Sequence, residues 1–212
     1  MIRWRCPPVN TPCQLCEKRR ARRYCPGVKG EICPQCCGTE RENTIDCPID
    51  CEYLQEARRH EIAVEPAEHP NADIRVSEDF IREHEAAVMW FSNALARAIE
   101  SGAAVDNDVR EALEAQIKTY RTRESGLIYQ TRPSNPYAAQ LQDEMERAVE
   151  ELRKKLSENT GMQTLRDKDV LGTLVFLQRL ELRHNNGRRR GRAFYDMLRH
   201  WFPAQPQPGL QP

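Results

Sequence analysis

The chain has 212 residues, of which 39% are apolar and 30% charged, and its 32 basic side chains balance 32 acidic ones. That length suits one ordinary domain or two small ones, and the polarity demands an economical core. Zero net charge points to no class of partner, no apolar run is long enough for a transmembrane helix, and the opening MIRWRCPPVN lacks the apolar stretch of a signal peptide; a cytoplasmic location without membrane attachment is the expectation.

All nine cysteines lie between Cys6 and Cys51, and the rest of the chain contains none. Such a partition predicts a small cysteine-rich module over residues 1–59, followed by something built differently. Thiols stay reduced in the cytoplasm, so clustered cysteines there read as metal ligands rather than disulfides. The spacing is Cys13-x2-Cys16-x8-Cys25-x7-Cys33-x2-Cys36-Cys37-x9-Cys47-x3-Cys51, with Cys6 apart upstream as a spare thiol that should bind nothing. The first histidine is His60, beyond the cluster, so a site here is all-thiolate.

Zinc takes four thiolates in a tetrahedron, and each CxxC supplies two from one tight turn. Cys13, Cys16, Cys33 and Cys36 would form one site. Cys25, Cys37, Cys47 and Cys51 would form a second. Because Cys25 falls between the halves of the first set, the order interleaves as a cross-brace with two zinc ions. The adjacent pair Cys36 and Cys37 would serve different metals, since successive side chains diverge in an extended segment, and Gly38 would let the chain turn afterwards. Four thiolates also hold iron–sulfur clusters, which spacing does not separate from zinc. A thioredoxin-like dithiol needs a strand-to-helix context, and CPGVKGEICPQCC offers none. So small and polar a module needs metal binding to fold.

The pattern CQLC, YCPG, ICPQCCG, CPIDC resembles the cross-brace zinc fingers of the MYND, HIT and B-box kind over residues 13–51. It departs from them in lacking terminal histidine ligands and in its doubled cysteine. With the helical remainder included, the arrangement also resembles an uncharacterised bacterial family of zinc-finger-plus-helix proteins. The resemblance implies protein binding and carries no catalytic residue.

Basic residues crowd EKRRARRY, where Arg19, Arg20, Arg22 and Arg23 form a candidate partner-binding stripe. Two four-thiolate zinc sites would bring the whole module close to neutral, so any basic patch is local.

Residues 60–76 hold two prolines and no helical stripe, and read as a linker. Ser77 then caps a helix, with Glu78 and Asp79 in its first turn. Ile81, His84, Val88, Phe91, Leu95 and Ala98 form its stripe, which stops at Gly102. A second helix from Asp106 or Asn107 carries Val109, Leu113, Ile117, Tyr120 and Leu127, and ends near Pro133. Pro136 opens a third, with Tyr137, Leu141, Met145, Ala148, Leu152 and Leu156, ending before Gly161. The fourth, near 167–184, is apolar nearly all round and should be buried by several neighbours. The fifth carries Phe194, Met197, Leu198, Trp201 and Phe202 and ends at Pro203. The fold class is therefore mostly α: the two-zinc module, then a bundle of about five helices over 77–203, then a disordered tail over 204–212.

Little in the bundle reads as catalysis. His84, on an apolar stripe, is expected to be a satisfied core residue. Glu181 and His184 have di-iron spacing, but only once. No HExxH, GxSxG or Walker pattern occurs. Glu124 is expected to pair with an arginine inside the bundle. Arg188, Arg189, Arg190 and Arg192 stand where the fifth helix begins, against its dipole, which suggests an anionic partner. The sequence predicts a non-enzymatic zinc-binding adaptor or regulator that contacts another protein. One alternative is a nucleic-acid binder using residues 17–24 and 188–192. Another is a metal-dependent enzyme with its site in the bundle.

Overall fold

The structure is a computed structural model that describes residues 11–62, 70–101, 103–160 and 165–202. Cys6, the tail 204–212, residues 63–69 of the expected linker, and the helix-stopping Gly102 and Gly161 lie outside the described residues. The chain divides into two units, one of Met1–Ile62 with Asn186–Arg192 and the other of Ala63–Asn185 with Ala193–Pro212. Among the described residues the secondary structure is eight helices and one two-stranded hairpin, a mostly-α chain.

In the first unit, β1 (Arg23–Cys25) and β2 (Gly30–Ile32) pair antiparallel with Cys25 opposite Gly30. Lys29 closes their turn with φ +57°. Helix α1 (Pro34–Glu40) follows β2 directly, opened by Pro34 and capped by Cys33, whose sulfur accepts from the Cys36 amide at 3.4 Å. The expected absence of a strand-to-helix context around CPQC is thus wrong: a proline suited to the first helical position starts a helix immediately after the strand. Cys36 and Cys37 lie in α1 rather than in an extended segment. They still diverge, because neighbours on a helix point about 100° apart. Gly38 sits inside α1 and makes no turn; the chain turns at Glu42, with φ +52°. Helix α2 (Glu52–Arg58) buries Leu54.

The core of this unit is mostly sulfur. Cys13, Cys25, Cys33 and Cys36 are buried with Ile32 and Ile45, and Cys16, Val28, Cys37 and Cys47 pack on them. Fully burying an aliphatic side chain contributes roughly 1.5–3 kcal/mol, and Ile32, Ile45 and Leu54 cannot offset the ordering of some fifty residues at about 1–2 kcal/mol each.

The second unit is built from α3 (Glu78–Glu83), α4 (Glu85–Ser101), α5 (Asp106–Glu124), α6 (Pro136–Thr160), α7 (Asp167–His184) and α8 (Ala193–Trp201). Helix α5 packs chiefly against α7 and α6, and α4 against α6. Phe91, Leu95, Val109, Leu113, Ile117, Tyr120, Leu141, Met145, Leu174, Leu177, Phe194 and Leu198 form a core that solvent barely reaches. Ser77 caps α3 as expected, accepting from the Phe80 amide at 3.2 Å. The expected first helix is broken at His84, whose ring stacks on Phe80 at 4.3 Å while Nδ1 lies 2.9 Å from the Phe80 carbonyl and Nε2 3.4 Å from Asp169. It is a satisfied histidine.

Two differences from the sequence reading concern loops. Helix α5 ends at Glu124, so Leu127 is not on its stripe but exposed, with Ile128 and Tyr129, in the α5–α6 connection. The backbone there is tied to α5: the Thr122 hydroxyl donates to Tyr129 O at 3.0 Å, and the Thr131 amide donates to Thr119 Oγ1 at 3.0 Å. Residues 70–76, expected to be linker, belong to the helical unit. Asn71 donates to Gln178 at 2.8 Å and accepts from Arg121 at 2.8 Å, Asp73 pairs with Arg121 at 2.6 Å, and Arg179 donates to the Asn71 and Ile74 carbonyls.

Two buried carboxylates in this unit have partners, while the buried Ser92 hydroxyl has none among the described residues. Glu181, fully buried, takes two bonds from Arg110 at 3.0 and 3.3 Å and one from Asn185 at 2.6 Å; burial pushes its carboxyl pKa up. This is the carboxylate–arginine pair expected at Glu124, which is exposed instead. Asp106, also buried, accepts from the Phe194 and Tyr195 amides at the start of α8 at 2.9 and 3.3 Å. The anion that this helix start attracts is therefore the protein's own. No described helix is long and apolar enough to cross a membrane.

Candidate metal centre

The knuckle around Cys13 and Cys16 is set by backbone. The Glu17 amide donates to the Cys13 carbonyl at 2.7 Å and the Cys13 amide to the Arg19 carbonyl at 2.8 Å, with Glu17 at φ +53°. The second knuckle is the start of α1. The Cys33 amide donates to the Cys13 sulfur at 3.2 Å, joining the two. All four sulfurs of Cys13, Cys16, Cys33 and Cys36 lie within 4.8 Å of one another. Zinc–sulfur bonds of about 2.3 Å in a tetrahedron need sulfurs about 3.8 Å apart, so a small inward movement completes the site. Four cysteines can therefore hold one metal ion. This is the only such group among the described residues.

Electrostatics fit that use. Backbone amides of Lys18 and Arg19 pull the Cys16 thiol down to about 6, and the Cys36 amide lowers Cys33. Burial, with the neighbouring sulfurs, pushes Cys36 up to about 12. A soft divalent cation would satisfy all four donors as thiolates.

Cys25, Cys37, Cys47 and Cys51 line one cavity of about 10 Å³ together with Arg23, Arg41, Ile45, Tyr53 and Leu54. That volume suits a single water-sized occupant. These sulfurs are not drawn together as the first four are. Burial pushes Cys47 up to about 11, with the charges of Cys25 and Cys51 adding to it. Arg23 and Arg41 direct guanidinium nitrogens at the Cys37 sulfur from 3.6 and 3.9 Å. Arg23 also stacks on Tyr53 at 4.4 Å. All eight described cysteines are free thiols.

The candidate arginines have mixed fates. Arg19 points at the Cys16 sulfur from 3.8 Å, and Arg23 is committed to Cys37; Arg20 and Arg22 are exposed. Half of that stripe thus points at sulfur. Arg188 donates to the Gly38 and Arg41 carbonyls at 3.4 and 2.5 Å. Arg190 and Arg192 lie 3.9 and 3.5 Å from Asp46, and Arg189 is exposed. Glu42 was not singled out in the sequence. Only 1% exposed, it pairs with Arg58 at 2.8 Å and accepts from Asn186 at 2.8 Å and from the Arg192 amide at 3.1 Å. Nothing in RENT marks it locally, because two of these three partners lie far along the chain.

No protein-family model, curated protein or solved structure matches this chain.

Proposed function

We propose that the chain is a non-enzymatic zinc-binding adaptor or regulator, in which two zinc ions shape the cysteine module and the protein acts by contacting another protein. The observation that carries the reading is the four-sulfur group of Cys13, Cys16, Cys33 and Cys36. An all-thiolate donor set with arginines beside it suits zinc held for structure, with no coordination position left for substrate. The second ion is supported by the cavity that Cys25, Cys37, Cys47 and Cys51 share. Free thiols at all eight described cysteines fit a reducing, cytoplasmic setting.

A protein partner is supported by apolar side chains left in water on an anchored loop: Leu127 62%, Ile128 103% and Tyr129 66% exposed. It is supported further by the arginines that turn inward to sulfur and carbonyl groups, which reduces the cationic surface left for a phosphate backbone. Elemental analysis of protein purified without added metal tests the reading. Two zinc ions per chain are expected, and iron or no metal would overturn it. Replacing Ile128 with a photo-crosslinking residue tests the partner: a discrete adduct is expected from Ile128 and none from Arg59, which is also exposed.

A further inference from the structure

The segment Asn186–Arg192 stands between two helices of the helical unit, yet it folds with the cysteine module. Its contacts share one feature. The Arg188 guanidinium binds the Gly38 and Arg41 carbonyls, the Arg190 amide binds the Glu42 carbonyl at 2.6 Å, and the Arg192 amide and Asn186 bind the Glu42 carboxylate. Arg190 and Arg192 also face Asp46. Every one of these acceptors lies between Cys37 and Cys47. Those two cysteines both line the second cavity and would both ligate the second ion. The receptor for the arginine segment is thus the stretch 38–46, the end of α1 and the loop after it, flanked on both sides by proposed metal ligands.

We propose that metal at the second site latches the Asn186–Arg192 segment onto the module, and that metal loss releases it as an undocked cationic strand. This rests on the two-zinc reading above. A loop pinned at both ends by one ion keeps a single shape, which holds the Glu42 carboxylate and the backbone carbonyls aimed at their donors. Unpinned, a stretch with one buried isoleucine has too little apolar burial to keep that shape. Docked, Arg188 is held on carbonyls and Arg190 and Arg192 share Asp46, leaving Arg189 exposed. Released, Arg188, Arg189, Arg190 and Arg192 present four positive charges in five positions to any anionic partner. Coupling of this kind is reciprocal: the docked segment must strengthen metal binding by the factor by which metal strengthens docking.

The test is hydrogen exchange of the peptide spanning residues 186–193 in the full chain, with metal counted in every sample. In zinc-loaded protein the Arg190 and Arg192 amides should be protected. Cys47→Ser should lose one ion and expose both amides, with exchange at least about tenfold faster. If Cys47→Ser loses one ion and protection persists, the latch is overturned while the second site stands. If Cys47→Ser keeps two ions, the second site falls and the latch with it. Arg188→Ala acts from the segment's side and leaves every ligand in place. It should speed exchange at Arg190 and Arg192 and lower the zinc affinity of the second site by a similar factor. Unchanged exchange in that variant would also overturn the latch.

Discussion

The two units bury their interiors by different means. The helical unit has a dozen large side chains sealed from solvent, among them Phe91, Tyr120, Leu174 and Phe194. The cysteine module buries four cysteines with Ile32, Ile45 and Leu54 as its large apolar side chains. Apolar burial holds at any metal concentration, whereas sulfur ligation holds only while a metal is present. On the proposed function, one unit folds by apolar burial and the other by its metal. Each prediction below probes that contrast.

The largest effect expected is from metal removal. Structural zinc contributes on the order of 10–16 kcal/mol of apparent folding free energy in small fingers. Chelation should abolish hydrogen-exchange protection over residues 11–59 while the helical circular-dichroism signal stays, since most of it comes from α4, α5, α6 and α7. Collapse of the helical signal on chelation would break the comparison.

The mirror experiment is Phe91→Ala. Phe91 is fully buried in α4, and removing such a ring costs about 3–5 kcal/mol. The melting temperature of the helical unit should fall sharply while the zinc count stays unchanged. A loss of zinc in this variant would mean that the module leans on the bundle.

The two units also differ in how much the sequence reveals. The first metal group was legible because CxxC spacing is a local constraint: Cys13 with Cys16 and Cys33 with Cys36 each sit within one turn, and only their meeting is long-range. The stripes of α4, α5, α6 and α7 were legible for the same reason, since helical period is local. One failure was local: α5 ends at Glu124 because Gly126, at φ +77°, closes it, a stop signal present in the sequence itself. The others were not local. The attachment of residues 70–76 depends on Arg121 and Arg179, which are distant in sequence. The placement of Arg188 depends on Gly38 and Arg41, and that of Arg190 and Arg192 on Glu42 and Asp46, all more than a hundred residues earlier. No pattern around an arginine announces which distant carbonyl it will meet.

A middle-sized effect is expected at the Arg110–Glu181 pair. Glu181 is fully buried and Arg110 about a third exposed, at 35%. Arg110→Ala leaves a buried carboxylate with only Asn185 beside it, at a cost of about 2–3 kcal/mol once partial solvent screening of the arginine is allowed for. Burial already raises the pKa of Glu181 above its unfolded value. A raised carboxyl favours the folded state most below the unfolded pKa, and that contribution is lost as pH rises through the folded one. Without Arg110 the rise is larger. Thermal melts of Arg110→Ala should therefore show stability declining more steeply than wild type as pH is raised from about 4.5, the ordinary glutamate value.

The smallest effect sets the comparison most sharply, because the two units use the same local device. Ser77 and Cys33 each cap a short helix, accepting from the amide three residues on, at 3.2 Å from Phe80 and 3.4 Å from Cys36. A serine oxygen is the better cap, since sulfur accepts only weakly. Judged as a cap alone, Cys33→Ser should stabilise α1. Judged as a ligand, it removes one of four thiolates and should unfold the module, lowering the zinc count by at least one. The reciprocal changes lie in the helical unit. Ser77→Cys should cost a few tenths of a kcal/mol and Ser77→Ala about 1 kcal/mol, in line with ordinary caps. Phe80, which the cap orients, still stacks on His84, so the loss stays local. Neither Ser77 variant should change metal content. Chemical denaturation with zinc analysis on all three variants reads both quantities. If Cys33→Ser kept full zinc and gained stability, Cys33 would be a cap rather than a ligand, and the contrast between the two units would lose its chemical basis.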